Sequence, residues 1–201
     1  MNIETVVVGD LGVNCYIVSV ENKAIVIDPG DEYNKIKEAL KGKTVEAILL
    51  THGHFDHTGA VKKFQDDGAK VYISKEDAKM LVDGYTSLAN PFGYQFTPIK
   101  ADVTFNDNDV LELIDIKIKV ILTPGHTKGS ACFLCDNILF SGDTLFYRSI
   151  GRTDFPGGDF ETISHSIRNK LYVLNEETVV LSGHGNETTI KEEKCSNMFV
   201  R

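Results

Sequence analysis

Three of the six histidines in this chain fall within six consecutive residues, His52-Gly-His54-Phe-Asp56-His57. Filling a core does not call for three imidazoles in so short a stretch. At the extended end of a strand, His52 and His54 point the same way and can grip one ion at about 2.0–2.1 Å, whereas Asp56 and His57 turn toward a different point. One loop can therefore feed two metal ions. Further along, Pro124-Gly-His126, Ser141-Gly-Asp143 and Ser182-Gly-His184 repeat one grammar: an apolar run, a small residue, glycine, then a candidate ligand. Glycine lets the backbone turn sharply enough to aim the next side chain at a common centre. Together these residues predict a dinuclear hydrolytic site, with zinc as the first expectation and iron or manganese as competitors for a mixed His/Asp donor set.

The elements that position these residues are legible from short apolar runs. β-Branched stretches at 5–8, 14–20 and 23–28 read as a β-meander, the last two joined by a polar Glu21-Asn22 turn. Helical spacing of Ile36, Ala39 and Leu40 predicts a helix over 31–41, and a strand over 45–50 runs into the histidine cluster. A helix is expected over 59–65, a strand at 71–74 and a helix over 75–82. Residues 84–98, rich in Tyr, Phe, Pro and Gly without periodicity, read as a loop or lid. Strands follow at 102–105, 110–113, 116–122, 130–134 and 138–140, then a helix over about 160–171 and a strand at 179–181. Two meanders, each followed by helix and strand, suggest two stacked sheets with helices outside, in a single domain spanning 1–201. The candidate ligands lie at C-terminal strand ends, where α/β proteins place their chemistry.

Composition narrows the partners. With 42% hydrophobic and 25% charged residues the chain is an ordinary globular sequence, and its net charge of −8 offers no basic footprint for nucleic acid or anionic lipid. No apolar run approaches the roughly 20 residues that span a bilayer. The N-terminus lacks the basic region of a signal peptide, and the four cysteines are scattered. A cytoplasmic protein acting on a small molecule is the expectation.

The pattern His52-x-His54-x-Asp56-His57, followed in order by His126, Asp143 and His184, resembles the metallo-β-lactamase superfamily over essentially the whole chain. The segments Ser141-Gly-Asp-Thr-Leu-Phe146, Gly151-Arg-Thr-Asp-Phe-Pro-Gly-Gly158 and Ser182-Gly-His-Gly-Asn-Glu-Thr-Thr-Ile190 look like its glyoxalase II-like, hydroxyacylglutathione hydrolase-related short bacterial branch. This resemblance implies an α/β fold, a four-layer αββα sandwich of two mixed sheets flanked by helices. It implies His52, His54 and His126 on one metal, Asp56, His57 and His184 on the second, and Asp143 bridging. Asp28, in the Ile27-Asp-Pro-Gly30 turn, would orient a ligand histidine. The implied reaction is hydrolysis of a hydroxyacyl thioester such as S-lactoylglutathione by hydroxide shared between the metals, with Asp56 orienting the attack. Long glyoxalase II proteins carry a C-terminal helical region that helps hold glutathione, whereas few residues follow His184 here. Arg152 or Lys128 and the aromatic residues of 84–98 are the substitutes, although Arg152 serves equally well in a structural salt bridge. Persulfide dioxygenases resemble the same pattern with one iron on residues matching His52 or His54, His126 and Asp143, and are the alternative; a lactonase or a metal-binding protein without catalysis stands behind them.

Other signals carry less. Cys132 and Cys135 have redox spacing, but residues three apart on a strand face opposite sides, so core packing is expected. His165, within the helix over 160–171, is expected on the surface. Gly151 to Gly158 lacks the Gly-Lys-Ser/Thr ending of a phosphate loop.

Overall fold

In the computed structural model, which describes residues 1–200, the chain forms two six-stranded sheets packed face to face with helices on both outer surfaces. The first sheet comprises β1 (Asn2–Val8), β2 (Val13–Val20), β3 (Lys23–Ile27), β4 (Thr44–Leu49), β5 (Lys70–Ser74) and β6 (Val103–Phe105), in that spatial order. The second contains β7 (Val110–Leu113), β8 (Ile116–Leu122), β9 (Ala131–Cys135), β10 (Ile138–Gly142), β13 (Val179–Ser182) and β14 (Thr188–Thr189). Its spatial order is β14-β13-β10-β9-β8-β7. A small hairpin, β11 (Leu145–Phe146) and β12 (Ser149–Ile150), lies between β10 and the last helices and has no counterpart in the sequence reading.

Strands buried on both faces must be apolar on both, which is why so many read as continuous β-branched runs. Along β2, Tyr16 and Val18 enter the core between the sheets, while Cys15 and Ile17 face the outer layer formed by α1 (Tyr33–Leu40) and α3 (Val61–Asp66). Along β9, Phe133 and Cys135 point inward and Cys132 points outward toward α4 (Phe160–Ser166) and α5 (Ile190–Ser196). The two cysteines therefore lie in different cores, as their spacing requires, and all four cysteines are free. The αββα sandwich is thus the observed fold.

Connectivity decides where the ligands emerge. Strands β3 and β4 run parallel across the α1 crossover, and β10 and β13 run parallel across the α4 crossover. Because β8 and β10 are both antiparallel to β9, β8 shares the direction of β10. The C-terminal ends of β3 and β4 thus open on one edge of the first sheet, and those of β8, β10 and β13 on one edge of the second.

One helical expectation is corrected and two are refined. The helix expected over 59–65 forms as α3, and a separate short helix, α2 (Phe55–Thr58), precedes it, so helix begins within the histidine cluster itself. Over 75–82 only the 3-10 turn Ala78–Val82 forms, because the Asp77 carboxylate bonds out of the segment and its carbonyl closes a tight turn on the Met80 N–H at 2.8 Å. The helix over 160–171 is α-helical to Ser166 and then widens into a π turn, Ile167–Leu171. Residues 84–98 contain no helix or strand, as expected.

The inter-sheet core is the stabilising contact. Phe133, fully buried there and packed against Phe105 with ring centroids 5.5 Å apart, should cost about 3–5 kcal/mol when changed to alanine. Phe160, 43% exposed, should cost no more than about 0.5 kcal/mol. Urea unfolding of the two variants measures the difference.

Candidate metal centre

All seven ligand candidates of the sequence converge at the shared edge of the sheets. Three groups have mutually close donor atoms: His52 with His54 and His126; Asp56 with His57 and His184; and His52 with His57 and Asp143. His52, His54, His57 and His126 are buried, while Asp56, Asp143 and His184 are partly open.

Hydrogen bonding at the rear of four of the five rings fixes the inward atom, while His54 turns its Nδ1 toward His126 Nε2 at 2.9 Å. His126 Nδ1 donates to the Arg152 carbonyl at 2.7 Å, and His184 Nδ1 to the Leu11 carbonyl at 3.1 Å. His57 Nδ1 donates to Asp28 Oδ2 at 3.0 Å. These partners can only accept, so Nδ1 carries a proton in each ring and Nε2 is turned inward. His52 follows by one more step. Thr51 Oγ1 donates to Asp28 Oδ2 at 2.6 Å, so its lone pairs are left to accept from His52 Nδ1 at 3.1 Å. A single buried carboxylate, further held by the Thr51 N–H at 2.8 Å, therefore orients His57 directly and His52 through Thr51. Asp28 holds this place with φ of 49°, a left-handed conformation that a short polar side chain with local bonds tolerates.

The inward atoms stand at separations suited to cations between them. Asp143 Oδ1 lies 3.4 Å from His57 Nε2, and its Oδ2 lies 3.6 Å from His126 Nε2 and 3.7 Å from His184 Nε2. Asp56 Oδ2 lies 3.5 Å from His184 Nε2 and 3.6 Å from His57 Nε2. Donors at about 2.0–2.1 Å around one tetrahedral ion stand roughly 3.3–3.5 Å apart. His52 Nε2, His57 Nε2 and Asp143 Oδ1 are buried without any hydrogen-bond partner. Each such orphan costs about 1–3 kcal/mol unless something binds it. Donor chemistry, spacing and orphaned atoms together fit a pair of divalent metal ions.

Electrostatics set the rings apart: His52 and His54 are held neutral, whereas His57 carries a proton that a bound cation would displace. Burial, reinforced by repulsion from His126, holds His54 down to about 3, and burial drives His52 well below the ordinary histidine range. Both therefore stay neutral, as ligands must. Burial also opposes charge on His57, but Asp143, Asp56 and Asp28 outweigh it and raise the ring to about 10. Burial pushes Asp56 upward, yet His57 and His184 draw it well below the usual carboxylate range.

Two expected substrate residues sit at the rim. Arg152 donates from Nε and Nη2 to Asp154 at 2.7 and 2.6 Å and covers the Phe155 ring at 3.9 Å, so most of its guanidinium is engaged in a salt bridge. Lys128 is exposed, its stem beside Gly157. Phe55 stacks with Tyr94 at 4.5 Å and Phe92 at 5.7 Å, and Phe92 meets Phe155 at 5.9 Å, which places aromatic residues of 84–98 at the mouth. A cavity of about 240 Å³ opens beside Asp56, lined by Leu11, Phe55, Tyr94 and Phe96 among others. His165 lies exposed on α4, bonded to Asn169 at 3.1 Å and apart from the centre.

Residues 8–184 match the family model described as the metallo-beta-lactamase superfamily. The chain belongs to that superfamily. It is 38% identical to the hydroxyacylglutathione hydrolase GloC of Haemophilus influenzae over 208 residues, covering 100% of this chain and 98% of the relative. Among solved structures it is similar to the BLEG-1 B3 metallo-beta-lactamase, with TM-score 0.95, 36% identity and 99% of both chains covered. TTHA1623, solved in a di-iron-bound form, matches with TM-score 0.88, 33% identity, 98% of this chain and 100% of the other. The chain is accordingly a metallo-hydrolase with a histidine-rich centre consistent with two metals. Among the described residues no helix is long and apolar enough to cross a membrane.

Sequence reasoning missed Thr51 and the carbonyls of Leu11 and Arg152. Thr51 alone carried a local signal, a hydroxyl directly before His52. Backbone carbonyls that orient rings from 26 and 173 residues away carry none.

The shifts predict how chelator-treated protein responds to pH. His52 and His54 have folded values below the unfolded value of about 6.5, so their stabilisation is present above that pH and lost as the pH falls toward 3. His57 is raised, so its contribution is complete below about 6.5 and lost as the pH rises through about 10. Urea midpoints should peak between these limits, and His54→Gln should flatten the limb between about pH 4 and 6.5 while leaving the alkaline limb intact.

Proposed function

We propose that this chain hydrolyses hydroxyacyl thioesters of the S-lactoylglutathione class, using two divalent ions, zinc foremost. His52, His54 and His126 would hold one, Asp56, His57 and His184 the other, with Asp143 between them. The supporting observation is the convergence of both donor groups on Asp143, whose two oxygens face His57 on one side and His126 and His184 on the other. When bound, two such ions lower the pKa of a shared water to about 7 and polarise an acyl carbonyl.

The chain's own groups do the rest. Asp56, kept ionised by His57 and His184 and lying beside the cavity, accepts a hydrogen bond from the attacking hydroxyl and sets its direction. Asp28 holds the Nδ1 protons of His57 directly and of His52 through Thr51, so Nε2 of each is the atom turned toward a metal. Phe55, Phe92, Tyr94 and Phe155 pack the apolar part of the substrate and exclude water. Lys128, and Arg152 through the Nη1 that Asp154 leaves free, supply positive charge for a carboxylate on the thiol carrier. A thiolate is a good leaving group, so no side-chain nucleophile is needed.

The similarity to BLEG-1 makes a β-lactam the second acyl substrate worth testing. Metal-loaded protein should release free thiol from S-lactoylglutathione and related thioesters, with two ions per chain by elemental analysis. Thioester turnover that is absent while β-lactam opening proceeds would move the assignment to that class. One iron per chain with oxygen consumption would move it to a persulfide dioxygenase. Asp56→Asn should lower kcat at least about 100-fold, followed by thiol release.

A further inference from the structure

Asp77 carries a buried carboxylate for which the proposed reaction has no use. It is 1% exposed, and among the described residues no lysine or arginine lies within ion-pair distance of it. Its partners are instead the two loops that carry the three-histidine group. Oδ1 accepts the Gly129 N–H at 2.8 Å, while Oδ2 accepts the Thr127 hydroxyl at 2.6 Å and the Gly53 N–H at 3.3 Å. Gly53 stands between His52 and His54 on the first sheet's edge, and Thr127 follows His126 on the second's.

Both glycines are needed for this approach. A Cβ at Gly129 would fall 2.2 Å from Ser74 Oγ and 2.6 Å from Asp77 Oδ1, and one at Gly53 would fall 2.6 Å from Met80 Cβ. Directionality is fixed as well. Thr127 Oγ1 spends its proton on Asp77 and so accepts from Ser130 Oγ at 2.7 Å, which in turn accepts the Thr127 N–H at 3.0 Å. Besides this bridge, the Ala131 N–H donates to the Thr51 carbonyl at 2.8 Å, above the same centre.

We infer that Asp77 is a positioning residue that sets the spacing between the His52/His54 pair and His126, and with it the cation affinity of that side of the centre. The inference rests on the reading of these histidines as metal ligands. Asp77→Asn keeps an oxygen for Gly129 but turns an amide N–H₂ toward the Gly53 N–H. Thr127→Val has the shape of threonine without the donor, and Thr127→Ser restores the donor.

The test is zinc titration of the full chain against a chromophoric chelator, in the wild-type and His54→Ala backgrounds. In the first background Asp77→Asn and Thr127→Val should each weaken one of the two sites about 10–100-fold and spare the other, and Thr127→Ser should behave as wild type. In the His54→Ala background, where that side is already disabled, neither change should weaken the remaining site. Equal weakening of both sites, or the same loss in both backgrounds, would mark Asp77 as a general structural residue and overturn the proposal. Variants that bind zinc like a zinc-binding wild type overturn it alone, whereas a wild type that takes up no zinc overturns the ligand reading with it. Should Asp77→Asn fail to fold, Thr127→Val carries the same test.

Discussion

One buried carboxylate, Asp28, reaches both halves of the centre. Directly it holds the proton on His57 Nδ1, and through Thr51 it holds the one on His52 Nδ1. A metal ligand needs its donor atom bare and aimed, and imidazole offers two nitrogens that only a bond at the rear can distinguish. Asp28 makes that distinction for a ring in each group, from a turn whose conformation the backbone would not choose unaided. The cost of a left-handed aspartate is about 1–2 kcal/mol. Three hydrogen bonds to a charged acceptor, each contributing about 1.5–3 kcal/mol, outweigh it.

That arrangement works only if ends of strands from two different sheets are held in register, and among the described residues the backbone pairing between them is a single β-bridge, Val13 with His184. Parallel crossovers bring the loops to a common edge, and buried polar groups then splice them. Tyr16 and Asn14 of β2 both donate to the Ser182 carbonyl of β13, at 2.6 and 3.0 Å. The Asn14 N–H meets the Gly183 carbonyl at 2.8 Å, next to His184. The Ala131 N–H of β9 donates to the carbonyl of Thr51, in the loop after β4, at 2.8 Å. Apolar packing can press two sheets together at many small offsets. Directional bonds of this kind select one.

The distribution of these bonds explains what the sequence could and could not convey. The strands were readable because burial on both faces forces apolar runs, and 116–122 emerged with its bounds intact as Ile116–Leu122. The ligand candidates were readable because glycine before a ligand is a local pattern. The helix over 75–82 was misjudged for the opposite reason, since tertiary bonds draw on its first turn. The Asp77 carboxylate is taken up by Gly129 and Thr127, some fifty residues away in the chain. Periodicity reports only what a segment would do by itself.

The same division separates the centre from its rim. Around the histidines every rear nitrogen that faces a carboxylate or carbonyl is committed, and glycines permit contacts that no larger residue could make. A Cβ at Gly151 would fall 1.8 Å from the Asp143 carbonyl, and one at Gly30 would fall 1.7 Å from that of Asp56. Substitution there disturbs ligand geometry at once. The rim is differently made: Phe92 and Tyr94 are half to two-fifths exposed, and residues 84–98 contain no helix or strand. Exposed aromatic rings on an irregular segment exchange size and shape at little cost to the fold, because few buried contacts depend on them. Buried polar geometry therefore fixes the donor atoms of the centre, while the rim beside it can change shape without disturbing them.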